Sequence, residues 1–133
     1  MKLVLGLSAA LASALMVTAA PTSSSAAELS GTWRGGGTMR IASNNRSERV
    51  RCRASFSKLT RRAYNVRAVC STTATTVAQT ARVRRTGPNR FSGRFFNSQF
   101  NIRGSIFISV RGRRQSISLR SAKASASLQL SKR

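Results

Sequence analysis

The chain has 133 residues, with 24 lysines and arginines against 2 acidic residues, no histidine and a formal charge of +22. It has no aspartate either, so a Ser-His-Asp triad and a Cys-His pair are impossible. A paired-carboxylate hydrolase would have to use Glu28 and Glu48 alone, and zinc and calcium sites lack ligands; the sequence implies no enzyme, metal or cofactor.

Residues 1–27 read as a cleavable secretory signal peptide. Lys2 forms the basic start, Leu3 to Val17 is an apolar run too short and alanine-rich for a good membrane span, and Ser25-Ala26-Ala27 is a small-residue cleavage site. The remaining 28–133 make one domain. No cysteine precedes Cys52, so a lipid anchor at the cleavage site is excluded. Export to the periplasm or the extracellular medium supplies the oxidising compartment that a disulfide needs.

Leu29 to Arg34 reads as a first strand. Gly35-Gly36-Gly37 permits a bend or bulge, Met39 and Ile41 resume the inward face, and 42–47 is a turn. Glu48 then lies in the turn as a local ion pair with Arg46 and Arg49. Next comes a hairpin. Val50, Cys52, Ala54 and Phe56 alternate with Arg49, Arg51, Arg53 and Ser55, while Tyr64, Val66, Ala68 and Cys70 alternate with Asn65, Arg67 and Val69. Placing Cys52 opposite Cys70 sets Ala54 against Ala68 and Phe56 against Val66. One register therefore satisfies both the core and a disulfide, and a slip by one residue would turn an apolar set to water. The cysteines are 18 residues apart, unlike zinc pairs.

Val77, Gln79, Ala81 and Val83 form the inward phase of the next strand, Thr86-Gly87-Pro88-Asn89 is a turn, and Phe91 to Phe95 returns. After a break at 97–101, Ile106, Ile108 and Val110 alternate with Ser105, Phe107 and Ser109. Across a turn at 111–114, Ile117 is expected opposite Val110 and Leu119 opposite Ile108. Ala122, Ala124, Ala126, Leu128 and Leu130 make the inward phase of the last strand. About eight short strands joined by turns predict an all-β, antiparallel up-and-down meander closed into a small barrel. A β-sandwich is the alternative, because periodicity does not separate the two.

The arginines occupy the polar phase (Arg49, Arg51, Arg53, Arg67, Arg82, Arg84, Arg94) and the turns (Arg61, Arg62, Arg113, Arg114). This surface attracts polyanions, and guanidinium forks suit phosphate and carboxylate. The expected partners are lipid phosphate, lipopolysaccharide or acidic polysaccharide, with nucleic acid bound only non-specifically. A membrane-spanning barrel is disfavoured, because outward arginines at the midplane each cost about 2–4 kcal/mol. The inward alanines Ala54, Ala68, Ala81, Ala124 and Ala126 let the walls approach, so the interior is expected to be filled or narrow. The alternative is an apolar pocket lined by Trp33, Phe56, Tyr64, Phe91 and Phe95, which would make the protein a small-ligand carrier. A purely structural envelope protein is the third class.

Two resemblances follow. The Leu29–Trp33 start with its three glycines, the Cys52–Tyr64–Cys70 hairpin, Gln79-Thr80-Ala81, Gly87 to Gly93 and the closing alternating strand resemble small exported proteins of alphaproteobacteria, rhizobial types especially. That resemblance implies export and a β-fold. Leu29-Ser30-Gly31-Thr32-Trp33 is similar to the opening strand of avidin-like and lipocalin-like barrels, where a Gly-x-Trp closes the barrel floor. With Trp33 as the only tryptophan, biotin binding is not implied.

Overall fold

Period-two alternation becomes eight antiparallel strands in the computed structural model, which describes Gly6, residues 12–17 and residues 27–133. The strands are β1 (Gly31–Ile41), β2 (Arg46–Lys58), β3 (Ala63–Ser71), β4 (Thr76–Gly87), β5 (Arg90–Asn97), β6 (Ile102–Arg111), β7 (Arg114–Arg120) and β8 (Ala124–Lys132). Each pairs with the next, and β8 pairs back onto β1, so the sheet is a closed barrel rather than a sandwich. Closure leaves no unpaired strand edge. The expected signal peptide lies for most of its length outside the described residues.

The β2–β3 hairpin has the register that core and cysteines jointly require. Cys52 faces Cys70, Ala54 faces Ala68 and Phe56 faces Val66, and the two cysteines are disulfide-bonded. The β6–β7 register differs from expectation. Ile117 faces Ile108, Leu119 faces Ile106 and Val110 faces Gln115. The cause is a tight connection: only Gly112 and Arg113 lie between the strands, and Gly112 takes φ 60°, a conformation open to a residue without Cβ.

The three glycines make no break. β1 runs through them in unbroken register with β2 and β8. Gly35 and Gly37 are needed because the β1–β8 seam is close, and Gly36 because β2 is: a Cβ there would meet the Val50 carbonyl. A Cβ on Gly35 would strike the backbone carbonyl of Gln129, and one on Gly37 that of Ser127.

Inward residues form the core and outward residues meet solvent. Arg51, Arg53, Arg67, Arg82 and Arg94 project mid-strand from the outer wall, all exposed. The interior is apolar, and the outward face from β2 to β5 is charged.

The two ends differ. At one end Leu29, Trp33, Tyr64 and Phe91 are each about 0–1% exposed and pack into a floor. Trp33 meets Phe56 edge to face with centroids 6.4 Å apart, and Tyr64 meets Phe91 likewise at 5.6 Å. The Trp33 indole N–H donates to the Leu29 carbonyl at 2.9 Å, so the buried donor is satisfied. Arg85 stacks over Phe91 at 4.6 Å and donates to the carbonyls of Ala27 (2.6 Å) and Pro88 (2.7 Å), locking the entering chain across this end.

Candidate ligand cavity

The other end is open. Connections 42–45, 72–75, 98–101 and 121–123 surround its mouth. Inside lies a cavity of about 670 Å³, and a small void of about 30 Å³ sits beneath it in the mid-barrel. A taper of inward side chains on two of the strands opens the space. β3 runs Tyr64, Val66, Ala68, Cys70 from floor to mouth, and β8 runs Leu130, Leu128, Ala126, Ala124 in the same sense. On these two sides of the barrel the bulky side chains lie at the floor and the small ones at the mouth, while Met39, Ile41, Ile102 and Leu119 keep the rest of the mouth wall apolar.

The cavity wall takes Met39 and Ile41 from β1, Val50 and Cys52 from β2, Cys70 from β3, Val77 from β4, Phe95 from β5, Ile102 from β6, Leu119 from β7 and Ala124, Ala126 and Leu128 from β8. The disulfide is therefore part of the wall. Phe100, about half exposed on the β5–β6 connection, stands at the rim, and its N–H donates to the Asn97 side-chain carbonyl at 3.1 Å. Gln79 lies deeper, with its amide 3.7 Å from the Cys70 sulfur. This is a mainly apolar surface with a few polar groups, the usual composition of a small-molecule site.

The expectation of a filled or narrow interior is thus corrected: half the barrel is filled and half is hollow. Of the five aromatics considered as a pocket lining, only Phe95 reaches the cavity. Trp33, Phe56, Tyr64 and Phe91 pack the closed half. Met39, Ile41, Val50, Cys52, Cys70, Val77, Leu119 and Leu128 read from sequence as inward core or disulfide residues, and Ala124 and Ala126 as close-packing ones, whereas in the structure they line the cavity.

Glu48 is also displaced from its expected place. β2 starts at Arg46, so Glu48 is a strand residue facing Met39 on the inward phase, not a turn residue. It is partly buried and lines the cavity. Arg49 and Arg51 on the same strand face outward, and the one ion pair among the described residues is Lys58–Glu28 at 3.4 Å, so Glu48 has no cation within 4.0 Å.

All eleven arginines expected on the surface are exposed. They do not form one site. Arg49, Arg51, Arg53, Arg67, Arg82, Arg84 and Arg94 cover the wall from β2 to β5, whereas Arg61, Arg62, Arg113 and Arg114 lie at or beside the connections of the closed end. Arg34 directly faces Arg53, and Arg82 directly faces Arg94. The centres of β6–β8 instead present Ser105, Phe107, Ser109, Ser116, Ser118 and Ser127.

No protein-family model and no curated protein matches the chain. Solved structures of designed proteins are similar in fold. The redesigned beta barrel mFAP1, bound to DFHBI, superposes with TM-score 0.66 at 12% identity, over 78% of this chain and 94% of that one. A de novo designed fluorescence-activating beta barrel gives 0.63 at 14%, over 83% and 98%. A further redesigned beta barrel gives 0.63 at 13%, over 79% and 91%. At these identities the likeness is one of fold.

Proposed function

We propose that this is an exported, non-catalytic binding protein that holds a small apolar molecule in the open half of its barrel. The observation that carries the reading is the cavity. Its volume, about 670 Å³, falls within the range of about 300–1,000 Å³ typical of ligand sites. That volume turns the preference from the charged exterior to the interior. The barrel mFAP1 bound to DFHBI is a precedent for ligand binding by a chain of this fold. The disulfide supports an oxidising destination, periplasm or medium.

The test is titration of the purified protein with an environment-sensitive hydrophobic dye. Saturable binding at one site, unchanged between about 50 and 200 mM salt, is expected, since counterion release is not involved. Ala126→Phe, which fills the cavity, should abolish it without unfolding the barrel. Dye binding that survives this variant would sink the reading. Trp33 emission should barely respond, because Trp33 is walled off in the floor.

A second reading, binding of an anionic envelope component to the outer wall, is favoured by the arginine pairs Arg34–Arg53 and Arg82–Arg94. Like charges placed directly across two strands repel, and a bound polyanion would relieve them. Lipopolysaccharide binding that collapses between about 50 and 200 mM salt and weakens in an Arg82→Gln/Arg94→Gln variant is the expected result. Indifference to either change would remove it.

A further inference from the structure

Among all the residues that line the cavity, two are charged, Glu48 and Lys123, and they have opposite signs. Among the described residues neither side chain forms a salt bridge within 4.0 Å, with the other or with any other charged group. In a chain with 24 cationic side chains and 2 acidic ones, an inward carboxylate left without a cation is a directed feature. Glu28, the other acid, is engaged by Ser30, Tyr64 and Lys58.

The register gives the two groups different depths. Glu48 faces Met39 of β1. Lys123 sits beside Ala42, whose N–H donates to the Lys123 carbonyl at 2.9 Å. Ala42 is three positions nearer the mouth than Met39, a step of about 10 Å along a strand. β2 and β8 flank β1, so the two backbones also stand about 10 Å apart across the sheet. Glu48 is partly buried and Lys123 exposed, in keeping with that order. From the apolar interior outward, the wall therefore presents hydrocarbon, then a carboxylate, then an ammonium.

Resting on the cavity reading above, we propose that the ligand is an amphipathic zwitterion whose charges run in the complementary order: an apolar tail in the cavity, a cationic nitrogen next to it at Glu48, and an anionic group outermost at Lys123. A purely cationic head group would meet Lys123 and the basic field of the whole protein. A purely anionic one would meet Glu48. Charge-assisted contacts to both ends are available only to the zwitterion.

The order of charges makes the test specific. Five probes with the same decyl tail are compared, below their micellar concentrations, for displacement of the hydrophobic dye from the purified protein. They are decanol, a decyl sulfobetaine (cation next to the tail), decylphosphocholine (anion next to the tail), decyl sulfate and decyl trimethylammonium. The sulfobetaine should bind tighter than decanol and than decylphosphocholine by about five- to tenfold, the scale of one well-placed charged contact. Glu48→Gln should erase the advantage over decanol while leaving decanol binding intact, and Lys123→Met should erase the distinction between sulfobetaine and a decyl trimethylammonium probe. Equal binding of the two zwitterions, or a preference for decylphosphocholine or decyl sulfate, would overturn the proposal while leaving the cavity reading in place. Failure of every probe, decanol included, to displace the dye would overturn both.

Discussion

The Tyr64 hydroxyl donates a 2.8 Å hydrogen bond to the Glu28 carboxylate, joining residues 36 apart in sequence. The bond ties the entering segment to the barrel floor. Leu29, next to Glu28, fills the space under Trp33, and Ser30 donates to the same carboxylate from its N–H (3.2 Å) and its hydroxyl (2.7 Å). The Lys58 ammonium adds an ion pair at 3.4 Å.

These contacts predict an acid-sensitive floor. The Ser30 hydroxyl, with Tyr64 and Lys58 assisting against partial burial, lowers the Glu28 pKa from 4.5 to about 2. A group depressed in the folded state stabilises above its unfolded pKa and loses that contribution as pH falls through the folded value. The stability difference between wild type and Glu28→Gln should be constant above pH 4.5 and shrink toward pH 2. Tyr64 behaves oppositely. Burial, then the Glu28 hydrogen bond and charge, raise its pKa above 10.0, so its contribution holds below pH 10.0 and is lost as pH rises through the raised value. Thermal melts monitored by circular dichroism across both ranges check this. A difference independent of pH at the acid end would rule out Glu28 as the sensor.

The β1–β8 seam predicts the cost of a single methyl group. Gly37→Ala puts a Cβ onto the Ser127 carbonyl, which is backbone in a closed barrel and has little freedom to move. The expected loss is about 1–3 kcal/mol, as for other overpacked sites. Gly112→Ala tests a different mechanism, since a Cβ there meets no atom within 4 Å and the strain lies only in its φ of 60°. In urea melts the first variant should lose more stability than the second. The reverse ranking would mean the seam opens easily.

Much of the fold was legible because alternation is local. Val50 to Phe56 and Tyr64 to Cys70 each specify a face, and the two cysteines fix their mutual register. The β6–β7 register was not legible to within two residues, because it depends on how few residues turn the corner at Gly112. Glu48 was misplaced for a related reason. Its sequence neighbours Arg46 and Arg49 suggest an ion pair, but Arg49, adjacent on the strand, points to the opposite face, Arg46 on the same face forms no salt bridge with it among the described residues, and the strand begins earlier than the polar run 42–47 suggests. The cavity was hidden more deeply. Its depth is set by stacking eight inward phases, so Trp33, Phe56, Tyr64 and Phe91 look like a pocket lining until the strand order gathers them at one end. The taper from Tyr64 to Cys70 and from Leu130 to Ala124 carried that signal, readable only together with the meander order.

The disulfide predicts coupling between stability and the cavity. Cys52 and Cys70 face each other on β2 and β3, and both line the cavity. Constraining a loop of 18 residues contributes about 3 kcal/mol, so Cys52→Ser/Cys70→Ser should lower stability by roughly that amount. Dye binding, normalised to folded protein, should weaken only modestly, because the apolar wall on β1 and β8 is untouched. An unchanged melting temperature would mean that the β2–β3 ladder alone sets the stability of this region.

Gln115 carries the last prediction. It is 1% exposed, at the closed end of β7, facing Val110 on one side and Leu130 on the other. Neither its side-chain oxygen nor its nitrogen has a hydrogen-bond partner among the described residues. An amide removed from water without a partner costs about 1–3 kcal/mol. Gln115→Met keeps the volume and the unbranched shape while removing both polar atoms, so it should stabilise the protein by about 1 kcal/mol. For a domain of this size that is a rise of about 4–8 °C in melting temperature. Because Gln115 does not line the cavity, dye affinity should stay constant. A loss of stability would instead mean that an internal water satisfies the amide, and that the floor is built around a hydrated polar group.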